Sequence, residues 1–189
     1  MADDQQQGRD VIDILSTDHS EFLSLINQIR ATPGDEQRRD LADTLITELV
    51  QHSVAEEMFV YPVMQDELPD GDQAVDHDTK EHKQLEVIMK QLEGTDASDP
   101  RFDHLVTELE GVLKDHVSDE EGEQFPKLRS NVGREKLVEL AGKVETAKKI
   151  APTRPHPGAP NHEVFHKLVG PGVGLVDRLR DKLSGRSTG

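Results

Sequence analysis

His52-Ser-Val-Ala-Glu56-Glu57, followed by Tyr61-Pro62, returns later in the chain as His116-Val-Ser-Asp-Glu120-Glu121, followed by Phe125-Pro126. Both stretches read H-x-x-x-E-E with an aromatic-Pro pair at the same remove. Upstream, Asp18-His19-x-x-Phe22-x-x-Leu25-Ile26-x-x-Ile29 matches Glu81-His82-x-x-Leu85-x-x-Ile88-Met89-x-x-Leu92. The repeating unit therefore carries one His, then a His and a Glu four apart, and residues four apart share a face of an α-helix. Two such units supply four imidazoles and two carboxylates. That is a ligand set, in a chain with no Cys from which to build a thiolate site.

The hydrophobic pattern around these motifs predicts four helices between residue 9 and about residue 128. Val11, Leu15, His19, Phe22, Ile26 and Ile29 form one stripe, closed by Pro33-Gly34. Leu41, Leu45, Leu49, His52, Glu56, Phe59 and Val63 form the second, ending near Pro69-Asp70-Gly71. Val75, Asp78, His82, Leu85, Met89 and Leu92 form the third. Asp99-Pro100 is a start signal for the fourth, which carries Phe102, Leu105, Leu109, Val112, His116 and Glu120. Short connections between long helices favour antiparallel neighbours. The expected fold class is all-α, an antiparallel up-and-down four-helix bundle with an internal helix-hairpin duplication and a C-terminal helical extension. A shorter fifth helix is expected over 133–149, so that residues 1–149 form the main unit. Residues 150–172, rich in Pro and Gly, read as a linker, and 173–189 as a short amphipathic helix and tail.

Composition narrows the function classes. The chain has 189 residues and a net charge of -16, concentrated before residue 150. That acidity opposes phosphate backbones, so no nucleic-acid partner is expected. No stretch is long and apolar enough to span a membrane, and Met1-Ala-Asp-Asp-Gln-Gln-Gln has neither a basic nor an apolar leader character, so the expected localisation is cytoplasmic. Four imidazoles and two carboxylates on inward-facing stripes are costly to bury unless paired or bound to metal. Mixed His and Glu ligands suit Fe, Mn or Zn better than Mg or Ca.

The order His19, His52-x-x-x-Glu56, His82, His116-x-x-x-Glu120 resembles the hemerythrin-like HHE cation-binding family over about 120 residues. The resemblance implies a four-helix bundle around a non-haem, oxo-bridged di-iron centre, with two Fe ions and no haem. Carried over position by position, it makes His19, His52, His82 and His116 terminal iron ligands and Glu56 and Glu120 bridging carboxylates. It further implies a small ligand, O2, H2O2 or NO, and a part in oxidative or nitrosative stress or in iron handling. The chain departs from the oxygen carriers of the family in two places. Where they have a further His, four residues before the counterpart of His82, this chain has Asp78. Where they have an Asp five residues after the last His, it has Glu120 at four. A missing imidazole leaves a more open, more oxygen-rich metal, which favours peroxide, O2 or NO chemistry of a catalase or peroxidase kind. The alternative is a non-enzymatic iron or oxygen sensor, or an iron-storage module.

The remaining polar residues have plainer readings. His77 falls outside the 82-85-89-92 stripe and His104 outside that of the fourth helix. Asp78 either ligates or accepts from an imidazole N–H, and Glu57 and Glu121 face solvent or brace an imidazole. Tyr61 packs beside Pro62 or contacts the centre. Asn161-His162-Glu163-Val164-Phe165-His166 matches the H-E-x-x-H pattern of zinc hydrolases. Boxed between Pro160 and Gly170-Pro171, it leaves room for only two or three turns. In the last segment, Val173, Val176, Leu179 and Leu183 face away from Arg178, Arg180 and Lys182. The basic character of that helix suits docking on the acidic bundle or on a second subunit; no membrane partner is expected.

Overall fold

The computed structural model describes residues 8–158 and 163–186; of residues 163–172 and 184 only the backbone is described. Among the described residues all regular structure is helical: α1 (Val11–Ala31), α2 (Asp35–Ala55), a π-helical segment π1 (Glu56–Val60), α3 (Tyr61–Glu67), α4 (Gly71–Glu93), α5 (Pro100–Asp119), a second π segment π2 (Glu120–Gln124), α6 (Phe125–Asn131), α7 (Arg134–Ile150) and α8 (Glu163–Ser184). Four rods form the bundle, because α2, π1 and α3 run on without a break, as do α5, π2 and α6. The chain is thus an all-helical four-helix bundle with additional helices.

Local chemistry sets the rod ends. Asp10 caps α1 through a capping box in which its carboxylate accepts from the Asp13 amide at 3.0 Å and the Asp13 carboxylate accepts from the Asp10 amide at 3.1 Å. Asp99 caps α5 by accepting from the Arg101 amide at 2.9 Å, with Pro100 in the first turn. The turn into α4 requires glycine at position 71, since a Cβ there would lie 2.0 Å from the Met64 carbonyl oxygen. Leu15, Phe22, Ile26, Leu45, Leu49, Leu85, Met89, Leu92 and Phe102 are fully buried and form the apolar floor of the bundle.

The two π segments occupy matching positions in the two repeats, and the aromatic-Pro pair accounts for them. Proline has no amide hydrogen, and its ring collides with the carbonyl four residues back. The rod passes this point by widening for one turn, so that the Tyr61 amide reaches Glu56 and the Phe125 amide reaches Glu120, each five residues back. Each widened turn begins at the Glu of the H-x-x-x-E motif.

Helix α7 packs across α1 and α2 and ends beside α8. The C-terminal segment differs from the sequence expectation in its extent. Helical backbone resumes at Glu163, within the stretch 150–172 read as linker, and runs through Pro171 to Ser184. A single proline removes one backbone bond and bends a helix without having to end it. Among the residues whose side chains are described, the face that meets the protein is polar. Asp177 and Asp181 are buried, whereas Leu175, Val176, Leu179 and Leu183 are exposed. The contacts are polar: Asp181 accepts from Thr153 Oγ1 at 2.5 Å and pairs with Arg154 at 2.6 Å, and Asp177 pairs with His156 at 2.9 Å. Gly174 allows this close approach, because a Cβ would stand 2.4 Å from the Ile150 carbonyl oxygen. Arg178 donates to the terminal carbonyls of α7, at 2.9 Å to Ala151 and 3.2 Å to Ile150.

Candidate metal centre

All six residues expected at the centre converge in the bundle interior. His19 comes from α1, His52 from α2, Glu56 from π1, His82 from α4, His116 from α5 and Glu120 from π2, each at most 2% exposed. The imidazole rings form two close pairs, His19 with His52 at 5.0 Å and His82 with His116 at 4.9 Å between centroids.

Each imidazole is held from behind by a carboxylate. His52 Nδ1 lies 3.0 Å from Asp18 and His116 Nδ1 3.1 Å from Glu81. His82 Nδ1 lies 2.9 Å from Glu57 and His19 Nδ1 2.9 Å from Glu121. The pattern obeys the duplication. The acid before the first His of a repeat braces the second His of the same repeat, and the second Glu of each Glu-Glu pair braces the first His of the other repeat. Glu57 and Glu121 are therefore braces. The bracing acids Asp18 and Glu81 went unassigned in the sequence, although an acid immediately before the first His of both units was the available signal.

A carboxylate only accepts, so each braced Nδ1 carries the hydrogen and each neutral ring presents its Nε2 lone pair forwards. Those lone pairs face Glu56 and Glu120: His52 at 3.1 Å and His82 at 3.4 Å from Glu56, His19 at 3.2 Å and His116 at 3.6 Å from Glu120. Lone pair against lone pair requires a proton or a metal ion between them. Both oxygens of Glu56, both of Glu120, and Nε2 of His19, His52 and His116 have no hydrogen-bond partner. A buried polar atom left so costs about 1–3 kcal/mol. A cation within reach of these atoms satisfies them together. The ligand-type atoms of His19, His52, His116 and Glu120 lie within 4.8 Å of one another, as do those of Glu56, His82 and His116.

In the metal-free chain His52, His82 and His116 hold protons. Burial alone would lower the pKa of His52, but Glu56 and Asp18 outweigh it and raise it to about 9. His116 is raised in the same way by Glu120 and Glu81, and His82 well above the usual imidazole range by Glu56 and Glu57. Burial would raise Glu56, and His52 and His82 overturn that and hold it well below the usual carboxylate range.

The two halves of the centre differ chemically. Beside His82 and His116 stand Tyr61, Asp78 and Gln124. The matching positions of the other repeat hold Phe125, Leu15 and Val60. Tyr61 stacks on His82 at 5.4 Å with its hydroxyl 3.1 Å from Nε2, whereas Phe125 stacks on His19 at 5.9 Å and has no hydroxyl to offer. Burial and then Glu56 keep the Tyr61 hydroxyl protonated. Gln124 donates to Asp78 Oδ1 at 2.9 Å, leaving Asp78 Oδ2 and Gln124 Oε1 buried without a hydrogen-bond partner. Burial and the neighbouring Glu120 push Asp78 up to about 7.

His77 lies outside the six convergent residues, with its Nε2 3.4 Å from Oε1 of the brace Glu81. His77 is exposed on α4, 3.1 Å from Asp119. His104 is exposed on α5. In the H-E-x-x-H match, His162 lies outside the described residues, and of Glu163 and His166 only the backbone is described.

Residues 10–128 match the hemerythrin HHE cation-binding domain. The chain belongs to that family. It is 28% identical, over 174 residues covering 92% of this chain and 86% of the other, to an uncharacterized hemerythrin-like protein of Schizosaccharomyces pombe. It is also 24% identical over 143 residues to a DNA nickase of Nostoc, of which the matched region is 40%. The crystal structure of a hemerythrin HHE cation-binding-domain protein from Mycobacterium kansasii superposes with a TM-score of 0.66 at 23% identity, covering 75% of this chain and 86% of that one. This family domain with its His/Glu cluster is one that could hold metal. No helix among the described residues is long and apolar enough to cross a membrane.

Proposed function

We propose that the chain is a non-haem di-iron protein that binds or reacts with O2, peroxide or NO. The observation carrying this reading is the pair of fully buried carboxylates, Glu56 and Glu120, whose four oxygens lack hydrogen-bond partners and face four imidazole nitrogens. His19, His52, His82, His116, Glu56 and Glu120 would hold the two iron ions. Iron bound there supplies redox and Lewis-acid chemistry toward a small diatomic or peroxide ligand.

The protein's own groups then divide the work. Asp18, Glu57, Glu81 and Glu121 fix the tautomer and orientation of the imidazoles. Phe22 and Phe125 pack on the imidazoles of the His19 side, with Phe22 edge-on to His52 at 5.1 Å and Phe125 stacked on His19 at 5.9 Å. The small ligand would be received on the opposite side, where Asp78 stands in place of a further imidazole and leaves a position more open. There Tyr61 holds a proton at Oη, and Asp78 offers a buried Oδ2 that has no hydrogen-bond partner.

The test is metal analysis and spectroscopy of protein purified under iron-replete conditions. Close to two irons per chain are expected, with near-ultraviolet charge-transfer bands in the oxidised protein and no haem Soret band. One zinc per chain with negligible iron would overturn the reading. Oxygen evolution from H2O2 separates a peroxide-consuming enzyme from a sensor or storage module, which would bind without turnover.

A further inference from the structure

On the His82 and His116 side of the centre a graded series of metal-competent groups leads outward. At the surface, His77, Glu81 and Asp119 place ligand-type atoms within 4.8 Å of one another, with His77 Nε2 3.1 Å from Asp119 and 3.4 Å from Glu81 Oε1. His77 and Asp119 are exposed, whereas Glu81 is buried. Glu81 turns its other oxygen, Oε2, inward to His116 at 3.1 Å. With Asp78 and His116 it forms a second group of three, now wholly buried, also within 4.8 Å. Asp78 is fully buried, and its Oδ2 has no hydrogen-bond partner. His116 in turn belongs to both inner groups. Each group thus shares a residue with the next, from solvent to the core.

The duplication sharpens the point. The positions in the first repeat that match His77, Asp78 and Asp119 are Ile14, Leu15 and Ala55, all apolar and buried. Among the described residues the linked series is found on the His82 and His116 side, and the apolar residues at the matching positions show that packing of the bundle does not demand it.

We infer that His77, Glu81 and Asp119 form an outer acquisition site for a divalent cation, from which the ion passes by way of Asp78 and Glu81 into the centre, where Nε2 of His116 receives it. The inference rests on the di-iron reading, since the series has a destination only if the core binds metal. A hydrated divalent ion sheds water stepwise as carboxylate and imidazole atoms replace it, so the barrier of a single complete dehydration is avoided. Fe(II) suits the imidazole-plus-carboxylate character of each group. Glu81 is the pivot, because its two oxygens belong to different groups. Local negative charge at the mouth raises the cation's encounter rate.

The test follows loading of the metal-free full-length chain. Co(II) is mixed with it in a stopped-flow cell and the visible d–d absorption is followed in time; anaerobic Fe(II) is then used with metal content measured at intervals. The double variant H77A/D119N should load at least about tenfold more slowly than wild type, yet reach the same final metal content and spectrum. Asp115→Asn removes one charge a helical turn from Asp119 on the same exposed face and should load at the wild-type rate. Equal rates in wild type and H77A/D119N would overturn the route while leaving the di-iron centre standing. Equal slowing by Asp115→Asn would reduce the effect to general surface charge and also overturn it. Failure of the wild-type chain to take up either ion would overturn the di-iron reading and the route together.

Discussion

Asp18 holds Nδ1 of His52 at 3.0 Å, although it lies beside His19 in the sequence and not beside His52. In the second repeat Glu81 stands in the same relation to His116, at 3.1 Å. The same Asp18 oxygen accepts from Lys148 of α7 at 2.6 Å, so the helix added to the bundle takes part in the brace. Burial would raise Asp18, but His52 and Lys148 outweigh it and keep its pKa below the usual value. A charged Asp18 fixes the His52 tautomer and makes Nε2 a stronger donor.

Asp18→Asn and Glu81→Gln should therefore weaken metal binding by about 10–100-fold without unfolding the bundle. Competition with a calibrated chelator measures the change, and circular dichroism checks the fold. Affinity within twofold of wild type in both variants would show that the braces do not act on the metal.

Removing a proposed ligand should be harsher. His52→Ala and His116→Ala should each lose at least one iron. Each strands a buried carboxylate, which costs about 3–5 kcal/mol where one partner of a buried pair is deleted. His104→Ala, at an exposed position on α5, should leave iron content and stability unchanged. Thermal melts together with metal analysis give both readouts, and a full iron complement in His116→Ala would refute its assignment.

Much of this arrangement was legible in the sequence because the duplication marks it twice. The six convergent residues lie on helical stripes otherwise made of Leu, Ile and Phe, and polar residues on such stripes stand out. Asp18 and Glu81 were harder to read because their partners lie on another helix, and no period within one helix reports a contact across two. The contacts of α8 were not legible for a related reason. Its Val and Leu stripe has the stronger periodicity, but Asp177 and Asp181 meet Arg154, His156 and Thr153, and those partners come from a segment that reads as linker. The Pro171 signal stopped the expected helix short, since position within a helix, and not presence alone, decides what a proline does.

pH should move the metal-free and metal-loaded proteins in opposite senses. The folded-state pKa of His52, about 9, stands above its ordinary value of 6.5. The folded chain therefore binds more protons than the unfolded chain between these values, and stability is fully present below 6.5 and lost as pH rises through about 9. Asp78 acts earlier: raised from 3.8 to about 7, it lowers stability across that interval and adds no further loss above it. The melting temperature of metal-free protein should fall between pH 6.5 and 9. Iron displaces the same protons, so iron affinity should rise over that range and proton release should accompany binding. A metal-free melting temperature that rises with pH would contradict the assigned protonation of the imidazoles.

The aromatic-Pro pairs carry the last prediction. Pro62 follows Tyr61 at the end of π1, where the rod has widened and the Tyr61 amide bonds five residues back to Glu56. With an amide at position 62, the four-back bond to Met58 becomes available and the extra residue of the π turn has less to hold it. Closing the turn would rotate everything after Glu56 relative to everything before it by about one residue, or 100°. Tyr61, which stacks on His82 at 5.4 Å and reaches its Nε2 at 3.1 Å, would leave that place. Pro62→Ala should thus keep its helix content by circular dichroism yet shift the charge-transfer spectrum of the iron-loaded protein and lower its iron affinity. Pro126→Ala, at the end of π2, should act on the His19 side through Phe125, which stacks on that ring at 5.9 Å. If both variants keep wild-type spectra and affinity, packing of the bundle and not proline holds the π turns open.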